Sequence, residues 1–126
     1  MDTAAEQYEQ DVTAIFEEVV ALRDPADAII RATTVWQFLM PTFQAAGTYD
    51  VMRPRWQAMN QATLRAAEQH HITTLPAYDT FSGPDGSRDP VAAGDVDVDQ
   101  VHLTPQGVET FIDLFVGSGL KAPNGP

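Results

Sequence analysis

An aspartate and a histidine stand three residues apart near the end of the chain, as Asp99 and His102 in the stretch DVDQVHLTPQG. In serine hydrolases, a carboxylate fixes the tautomer of a histidine and stabilises its imidazolium, so that the other ring nitrogen can deprotonate the serine. A tight turn across this spacing brings a carboxylate to the ring, and the carboxylate would also offset the positive end of a helix that starts just after His102. The pair also fits a turn aspartate beside a histidine that only packs, because so short a motif is common by chance.

Three serines are candidates for the nucleophile that such a pair would activate: Ser82, Ser87 and Ser118. Ser82 and Ser87 lie in a turn-rich segment, where a hydroxyl usually caps or solvates a turn. Ser118 lies between two glycines at a predicted helix end. None of the three follows a strand into a helix, which is the strained turn that exposes the nucleophile in α/β hydrolases. The sequence therefore favours none of them as a nucleophile.

The chain is acidic, with 18 Asp and Glu against 7 Lys and Arg in 126 residues and a net charge of −11. A surface of this sign repels phosphate backbones and anionic lipid headgroups, so we expect no binding to nucleic acid or to membrane surfaces. No apolar stretch approaches the roughly 20 residues that cross a bilayer, and the N-terminal segment lacks the apolar core of a signal peptide. We expect a soluble protein, in a compartment that the sequence does not indicate.

No cofactor and no metal site is predicted. The chain has no cysteine, which excludes disulfides, thiolate catalysis and zinc sites built on cysteine. His70 and His71 are adjacent, so they point to different sides of either a helix or a strand and form a poor metal pair. The run DVDVD lacks the glutamate that an EF-hand calcium loop requires, and its alternating valines indicate a short strand or an irregular segment.

The first predicted helix starts at a capping box formed by Thr3 and Glu6. It ends at Asp24–Pro25, because the residue before a proline is driven away from the helical region. The apolar residues of this helix recur at helical spacing and form one face. They are Tyr8, Val12, Ile15, Phe16, Val19 and Leu22.

Two strands and a second helix are predicted in the middle of the chain. Residues 28–36 and 72–78 are rich in β-branched and apolar side chains, which favours buried strands, and Pro76 suggests where the second strand ends. Helix formers dominate residues 53–70, between the two strands. The turn-rich segment that follows is long for a compact domain, and such loops are usually functional or mobile.

The last predicted helix begins just after His102. Thr104 suits the capping position, and Pro105 suits the first helical position, where the missing N–H has no helical partner anyway. Gly117 and Gly119 end the helix. Its predicted buried face consists of Val108, Phe111, Ile112 and Phe115.

This order of elements predicts a parallel α/β fold. We expect residues 1–126 to form a single domain or part of one, with a flexible tail at 120–126. Two parallel strands make a very small sheet, and parallel strands are normally covered on both faces. The sequence therefore indicates a sheet whose remaining strands are supplied elsewhere.

The last third of the chain resembles the end of the SGNH (GDSL-type) hydrolases. The residues that carry the resemblance are Gly83-Pro84-Asp85-Gly86, Asp89-Pro90, the D-x-x-H of Asp99 and His102, and Thr104-Pro105-Gln106-Gly107. The preceding order of helices and strands also follows that family's C-terminal half. The resemblance therefore spans nearly the whole chain, although only the last third carries specific motifs.

The resemblance implies a partial flavodoxin-like three-layer α/β/α sandwich that hydrolyses small esters through a Ser-Asp-His triad. It assigns Asp99 as the orienting acid and His102 as the general base. The family's Gly-Asp-Ser nucleophile block, and the blocks that supply the glycine and asparagine of its oxyanion hole, do not occur in these residues. We therefore expect the chain alone to be inactive as an esterase.

Three interpretations remain open at this point. The chain can be a truncated reading frame, one part of a split enzyme that an N-terminal partner chain completes, or a non-catalytic interaction module. A sheet without its neighbouring strands exposes an apolar edge, which invites pairing with another chain. We therefore expect self-association through that edge, or a partner chain bound there.

Overall fold

Five helices and two short parallel strands form the part of the chain that the computed structural model describes, residues 3–24 and 26–120. In chain order these are α1 (Thr3–Leu22), β1 (Arg31–Thr33), α2 (Met40–Ala45), α3 (Tyr49–Gln69), β2 (Thr73–Leu75), α4 (Ala77–Ser82) and α5 (Pro105–Gly117). β1 and β2 pair in parallel, with Ala32 opposite Thr74. The predicted mixed α/β class with parallel strands is confirmed for a sheet of two strands.

The core lies between α1, α3 and β1. Ala32 of β1 packs with Ala67 of α3 and with Ile72, and Phe16 and Val20 of α1 lie against this cluster. The helix can approach the strand closely because α3 presents small alanine side chains where it meets the sheet. A hydrogen-bonded pair between the side chains of Arg65 and Glu9 joins α3 to α1 at the surface.

The apolar face predicted for α1 turns only partly inward. Ile15 is 58% exposed and Leu22 is 73% exposed, because no described element covers that side of the helix. Among the described residues the helix runs from Thr3 to Leu22. Pro25, which we expected to stop the helix, lies outside the described residues.

Both strands are shorter than the sequence predicts. The strand expected over 28–36 is limited to Arg31–Thr33, and the one expected over 72–78 to Thr73–Leu75. Pro76 does end the second strand, but the residues after it fold into α4 instead of continuing as strand or loop. The helix predicted from Arg53 begins four residues earlier, at Tyr49.

The prediction for α5 is right at its start and wrong along its face. Thr104 caps the helix and Pro105 opens it, as predicted. The expected buried residues Val108, Ile112 and Phe115 are instead 44%, 52% and 39% exposed. The helix is held by its two ends and not along its length, so its apolar stripe stays open among the described residues. Of the predicted tail at 120–126, only the first residue is described.

The far end of α5 is fixed to β1 by one arginine. The guanidinium of Arg31 donates to the hydroxyl of Ser118 at 2.8 Å, and to the carbonyl oxygens of Ser118 and Gly119 at 3.1 and 2.7 Å. Last-turn carbonyls have no helical partner, so a cation there satisfies them and the negative end of the helix together. This contact sets where α5 lies relative to the sheet.

Candidate functional site

A tight loop at residues 97–102, here called the dyad loop, holds Asp99 and His102. The residues on its two sides, Val96 and Leu103, form an antiparallel bridge. Within the loop, the backbone N–H of Asp97 donates to the His102 carbonyl at 2.8 Å, and that of Gln100 donates to the Asp97 carbonyl at 2.8 Å. These bonds close the loop on itself, so the side chains of Asp99 and His102 leave from one small turn.

Both oxygens of the Asp99 carboxylate are used. Oδ1 accepts the backbone N–H groups of Val101 and His102, each at 3.0 Å, in the turn geometry typical of aspartate. Oδ2 lies 2.6 Å from Nδ1 of His102. The two backbone bonds orient the carboxylate independently of the imidazole, so the backbone of the loop and the carboxylate together fix the position of the ring.

The protonation states of the pair follow from these bonds. The bond to the His102 ring, then the bonds to the Val101 and His102 backbone, lower the pKa of Asp99 from 3.8 to about 2. Near neutral pH the carboxylate can therefore only accept, and Nδ1 of His102 must carry the hydrogen. The same bond, helped by the charges of Asp99 and Asp97, raises the pKa of His102 above its usual 6.5. In its neutral form the ring then keeps a free electron pair on Nε2, as a general base requires.

Gln100 attaches the dyad loop to α2, a role that the sequence analysis missed. Its side-chain oxygen accepts both the backbone N–H and the hydroxyl of Thr42, at 3.2 and 2.9 Å. Its carbonyl oxygen accepts the N–H of Leu39 at 3.3 Å. Gln100 and Leu39 both adopt the left-handed conformation, with φ of 67° and 56°. Such φ values are uncommon without glycine, and no residue pattern signals them here.

The start of α5 supports the dyad loop from the other side. The Thr104 hydroxyl accepts the N–H of Gly107 at 3.1 Å and donates to the Gly94 carbonyl at 2.6 Å. Gly107 is buried against the backbone of Asp95, and a Cβ at this position would overlap the Asp95 carbonyl oxygen. Glycine is therefore required here by close packing of backbone on backbone.

Asp95 is a buried carboxylate beside this contact, and it was not predicted as a site residue. Its side chain is 5% exposed and pairs with Arg88 at 2.6 Å, while Gln106 donates to its other oxygen at 2.9 Å. The Arg88 guanidinium also donates to the carbonyl of Phe81, at 2.8 Å. The network ties α4, the loop after it and the first turn of α5 together.

The Gly83-Pro84-Asp85-Gly86 and Asp89-Pro90 motifs build the path to this network. The N–H of Gly86 donates to the Gly83 carbonyl at 3.0 Å, and the Asp85 carboxylate accepts the N–H and hydroxyl of Ser87 at 3.0 and 2.7 Å. Asp89 accepts the N–H of Val91 at 2.9 Å. The buried Pro90 presents a carbonyl that accepts two further N–H groups, those of residues 95 and 96, at 3.0 Å each. Each motif therefore has a direct structural role.

All three serine hydroxyls hydrogen-bond to groups outside the dyad. Ser82 is fully buried and accepts the backbone N–H of Gln37 at 3.0 Å. Ser87 donates to the Asp85 carboxylate, as described above. The Ser118 hydroxyl donates to the Phe115 carbonyl and accepts from Arg31. The structure therefore brings Asp99 and His102 together, and none of the three serine hydroxyls hydrogen-bonds to them.

The dyad lies on an open surface. The side chain of His102 is 81% exposed and that of Asp99 is 49% exposed. Within residues 3–24 and 26–120, no group of three acidic or histidine side chains is placed to hold a metal ion. The same part of the chain has no helix with the length and apolarity to cross a membrane.

Comparison of the chain with known proteins found no match. The motifs and the geometry of the Asp99–His102 pair are therefore the whole basis for a functional assignment. No family model, no curated protein and no solved structure matches the chain.

Proposed function

We propose that the chain supplies the Asp-His part of a Ser-Asp-His triad in an SGNH-type ester hydrolase. Asp99 is the orienting acid and His102 the general base. The observation that carries the proposal is the Asp99 carboxylate, which bonds two backbone N–H groups and the ring Nδ1 at once. A histidine that only packs has no need of an ionised, doubly oriented partner at the protein surface.

The chemistry of such a dyad is general base and then general acid catalysis. Nε2 of neutral His102 takes the proton of a serine hydroxyl as the serine attacks the ester carbonyl, and Asp99 stabilises the imidazolium that forms. The imidazolium then returns the proton to the leaving alkoxide. Water, deprotonated by the same nitrogen, attacks the acyl-serine, and the imidazolium returns the proton to the serine oxygen as the acid leaves.

The serine and the oxyanion-hole donors come from another polypeptide segment in this proposal. The three serines of the chain are committed to structural hydrogen bonds, and the side chain of His102 is 81% exposed, which leaves room for a nucleophile from another segment. The completed enzyme would be a flavodoxin-like three-layer sandwich in which further parallel strands extend the sheet of β1 and β2.

The test is hydrolysis of p-nitrophenyl acetate, by the chain alone and after mixing with a segment that carries the Gly-Asp-Ser and oxyanion blocks of an SGNH hydrolase. An exposed imidazole can itself attack an activated ester, so a matched histidine is needed as a control. His71 is exposed and adopts φ of 57°, which asparagine tolerates. His71→Asn therefore removes a surface imidazole without straining the backbone.

We expect turnover in the mixture, lost in His102→Ala and kept in His71→Asn, with a fluorophosphonate probe labelling only the added segment. Labelling of a serine within this chain would show that the nucleophile is internal and would overturn the split arrangement. A mixture that forms a stable complex, yet hydrolyses no ester, would favour the alternative of a non-catalytic interaction module.

A further inference from the structure

The edge of β1 that faces away from β2, here called the outer edge, has backbone groups that pair with no strand of the described residues. Thr34 donates its N–H to the Leu75 carbonyl of β2 at 3.1 Å. Ala32, two residues before Thr34 in the same strand, also directs its backbone groups toward β2. Alternate residues of a strand direct their N–H and C=O groups to opposite edges. Arg31 and Thr33 therefore turn theirs outward, where no other strand of the described residues pairs with them.

A side-chain amide marks where this open edge stops. Asn60 of α3 accepts the N–H of Val35 at 2.7 Å and donates to the Val35 carbonyl at 2.9 Å. Val35 is the next residue after Arg31 and Thr33 in the same alternation. Asn60 thus satisfies the backbone of Val35 as a neighbouring strand would, and leaves two outward positions free.

Two apolar cavities lie beside the free edge. One, of about 160 Å³, is lined by Val12, Ile15 and Phe16 of α1 together with Thr33. The other, of about 240 Å³, lies where Asn60 ends the free edge and is lined by Val35, Asn60, Phe38, Trp56 and Met59. Tyr8 lines both cavities. Side chains on one face of a strand recur about 7 Å apart, so an added strand would present successive same-face side chains to the two cavities.

Charge decides which chain fits there. Asp11 and Glu18 are exposed and lie about one helical turn before and after Ile15, so they share the side of α1 from which Ile15 lines the first cavity. A second copy of this chain would bring the same carboxylates and a further net charge of −11 to the interface. A strand with basic ends instead meets opposite charge.

We propose that the outer edge of β1 binds an extended segment of another polypeptide, with apolar side chains at alternate positions and lysine or arginine at its ends. Backbone bonds to Arg31 and Thr33 give the segment its strand form, and the two cavities select its side chains. The proposal does not rest on the esterase assignment, because it uses neither Asp99 nor His102.

The probe is a fluorescein-labelled peptide, KKTVTVTKK, whose binding to the full chain is measured by fluorescence anisotropy. Thr33→Pro removes an outward N–H without touching the β1–β2 ladder. Thr74→Pro is the matched control, because Thr74 points outward at the opposite edge of the same sheet. We expect Thr33→Pro to weaken binding about tenfold, as the loss of one backbone bond predicts, and Thr74→Pro to leave it unchanged.

Side-chain selection is tested on α1. Ile15→Lys places a charge in the first cavity, whereas Leu22→Lys changes a more exposed residue of the same helix that lines neither cavity. Only Ile15→Lys should weaken binding. The double variant Asp11→Asn with Glu18→Gln should weaken binding of KKTVTVTKK but not of its serine-ended analogue SSTVTVTSS. Glu17→Gln, which lies on another face of the helix, should weaken the binding of neither peptide.

A measurement on the unaltered chain guards against variants that fail to fold. Saturating peptide should slow amide hydrogen exchange at Arg31 and Thr33, and a peptide with proline at its central position should not. Undiminished exchange at both amides would overturn the proposal. So would sedimentation showing a dimer of this chain that Thr33→Pro dissociates, because the edge would then be taken by a second copy.

Discussion

Gly107 and Asp95 touch backbone to backbone, so closely that no side chain fits between them. This contact seats the first turn of α5 on the segment that leads into the dyad loop. On the same segment, Thr104 donates its N–H to the Asp95 carbonyl at 2.9 Å. The position of His102, two residues before Thr104, therefore depends on a glycine five residues further along the chain.

Gly107→Ala should destabilise the fold. The new Cβ would overlap the Asp95 carbonyl oxygen, so α5 must shift, at a cost typical of overpacking, about 1–3 kcal/mol. Gly117→Ala is the matched control in the same helix, because nothing lies within 4 Å of a Cβ built there. Thermal unfolding followed by circular dichroism compares the two. Equal melting temperatures would show that α5 does not rest on Asp95.

Removal of the Arg88 side chain should lower the free energy of unfolding more than removal of a surface arginine. Arg88→Met leaves the Asp95 carboxylate, whose side chain is 5% exposed, with Gln106 as its remaining side-chain partner. Breaking a buried pair costs about 3–5 kcal/mol, and we expect the lower end because Arg88 is itself 42% exposed. Arg65→Met breaks the surface pair with Glu9 and should change stability little, because exposed ion pairs contribute little. Urea unfolding of both variants measures the difference, and similar losses would contradict a structural role for Asp95.

The helix cap at Thr104 should contribute about 1 kcal/mol. Thr104→Ala leaves the Gly107 N–H and the Gly94 carbonyl without the hydroxyl that bonds both. Thr110→Ala is the control inside α5, where the hydroxyl only bonds the Gln106 carbonyl of its own helix. That substitution should be neutral or slightly stabilising, since alanine is the better helix former. If both variants unfold at the same urea concentration, the cap does not hold α5 in place.

The features that sequence reasoning recovered are local ones. The start of α5 is decided by Thr104 and Pro105 themselves, whose side chain and ring act within one turn. The contact of Asp99 with His102 is likewise made within a turn of four residues, for which the entropic cost of loop closure is small. Such patterns can be read from the sequence because all their atoms belong to neighbouring residues.

The features it missed depend on distant parts of the chain. Gln100 meets Thr42 across 58 residues, and nothing in either residue indicates the other. The apolar stripe of α5 predicts a buried face, but burial depends on whether another element covers it, and none of the described ones does. Asp95 is one of several aspartates in an acidic run, so only the position of Arg88 distinguishes it.

The ionisation of His102 gives the most direct test of the dyad. Asp99 raises the pKa of His102 through its hydrogen bond and its charge, and Asp97 adds a smaller effect. Asp99→Asn should therefore lower the pKa of His102 and Asp97→Asn should lower it less, as measured by NMR titration of the ring protons. A His102 pKa that does not respond to Asp99→Asn would mean that the carboxylate and the ring are not paired in solution.

The same shifts set the pH dependence of the pair. A histidine with a raised pKa contributes stability below its unfolded value of about 6.5, and this is lost as pH rises through the folded pKa. An aspartate whose pKa falls from 3.8 to about 2 contributes above 3.8, and this is lost on acidification toward 2. The pair is therefore strongest between about pH 4 and 6.5.

Catalysis needs the neutral ring, so ester hydrolysis by the completed enzyme should rise with pH through the raised pKa of His102. Asp99→Asn should move that rise to lower pH and reduce the maximal rate, because the ring then loses its orienting charge. A pH–rate profile of kcat/KM for both proteins separates the two effects, and an unchanged profile would exclude His102 as the base.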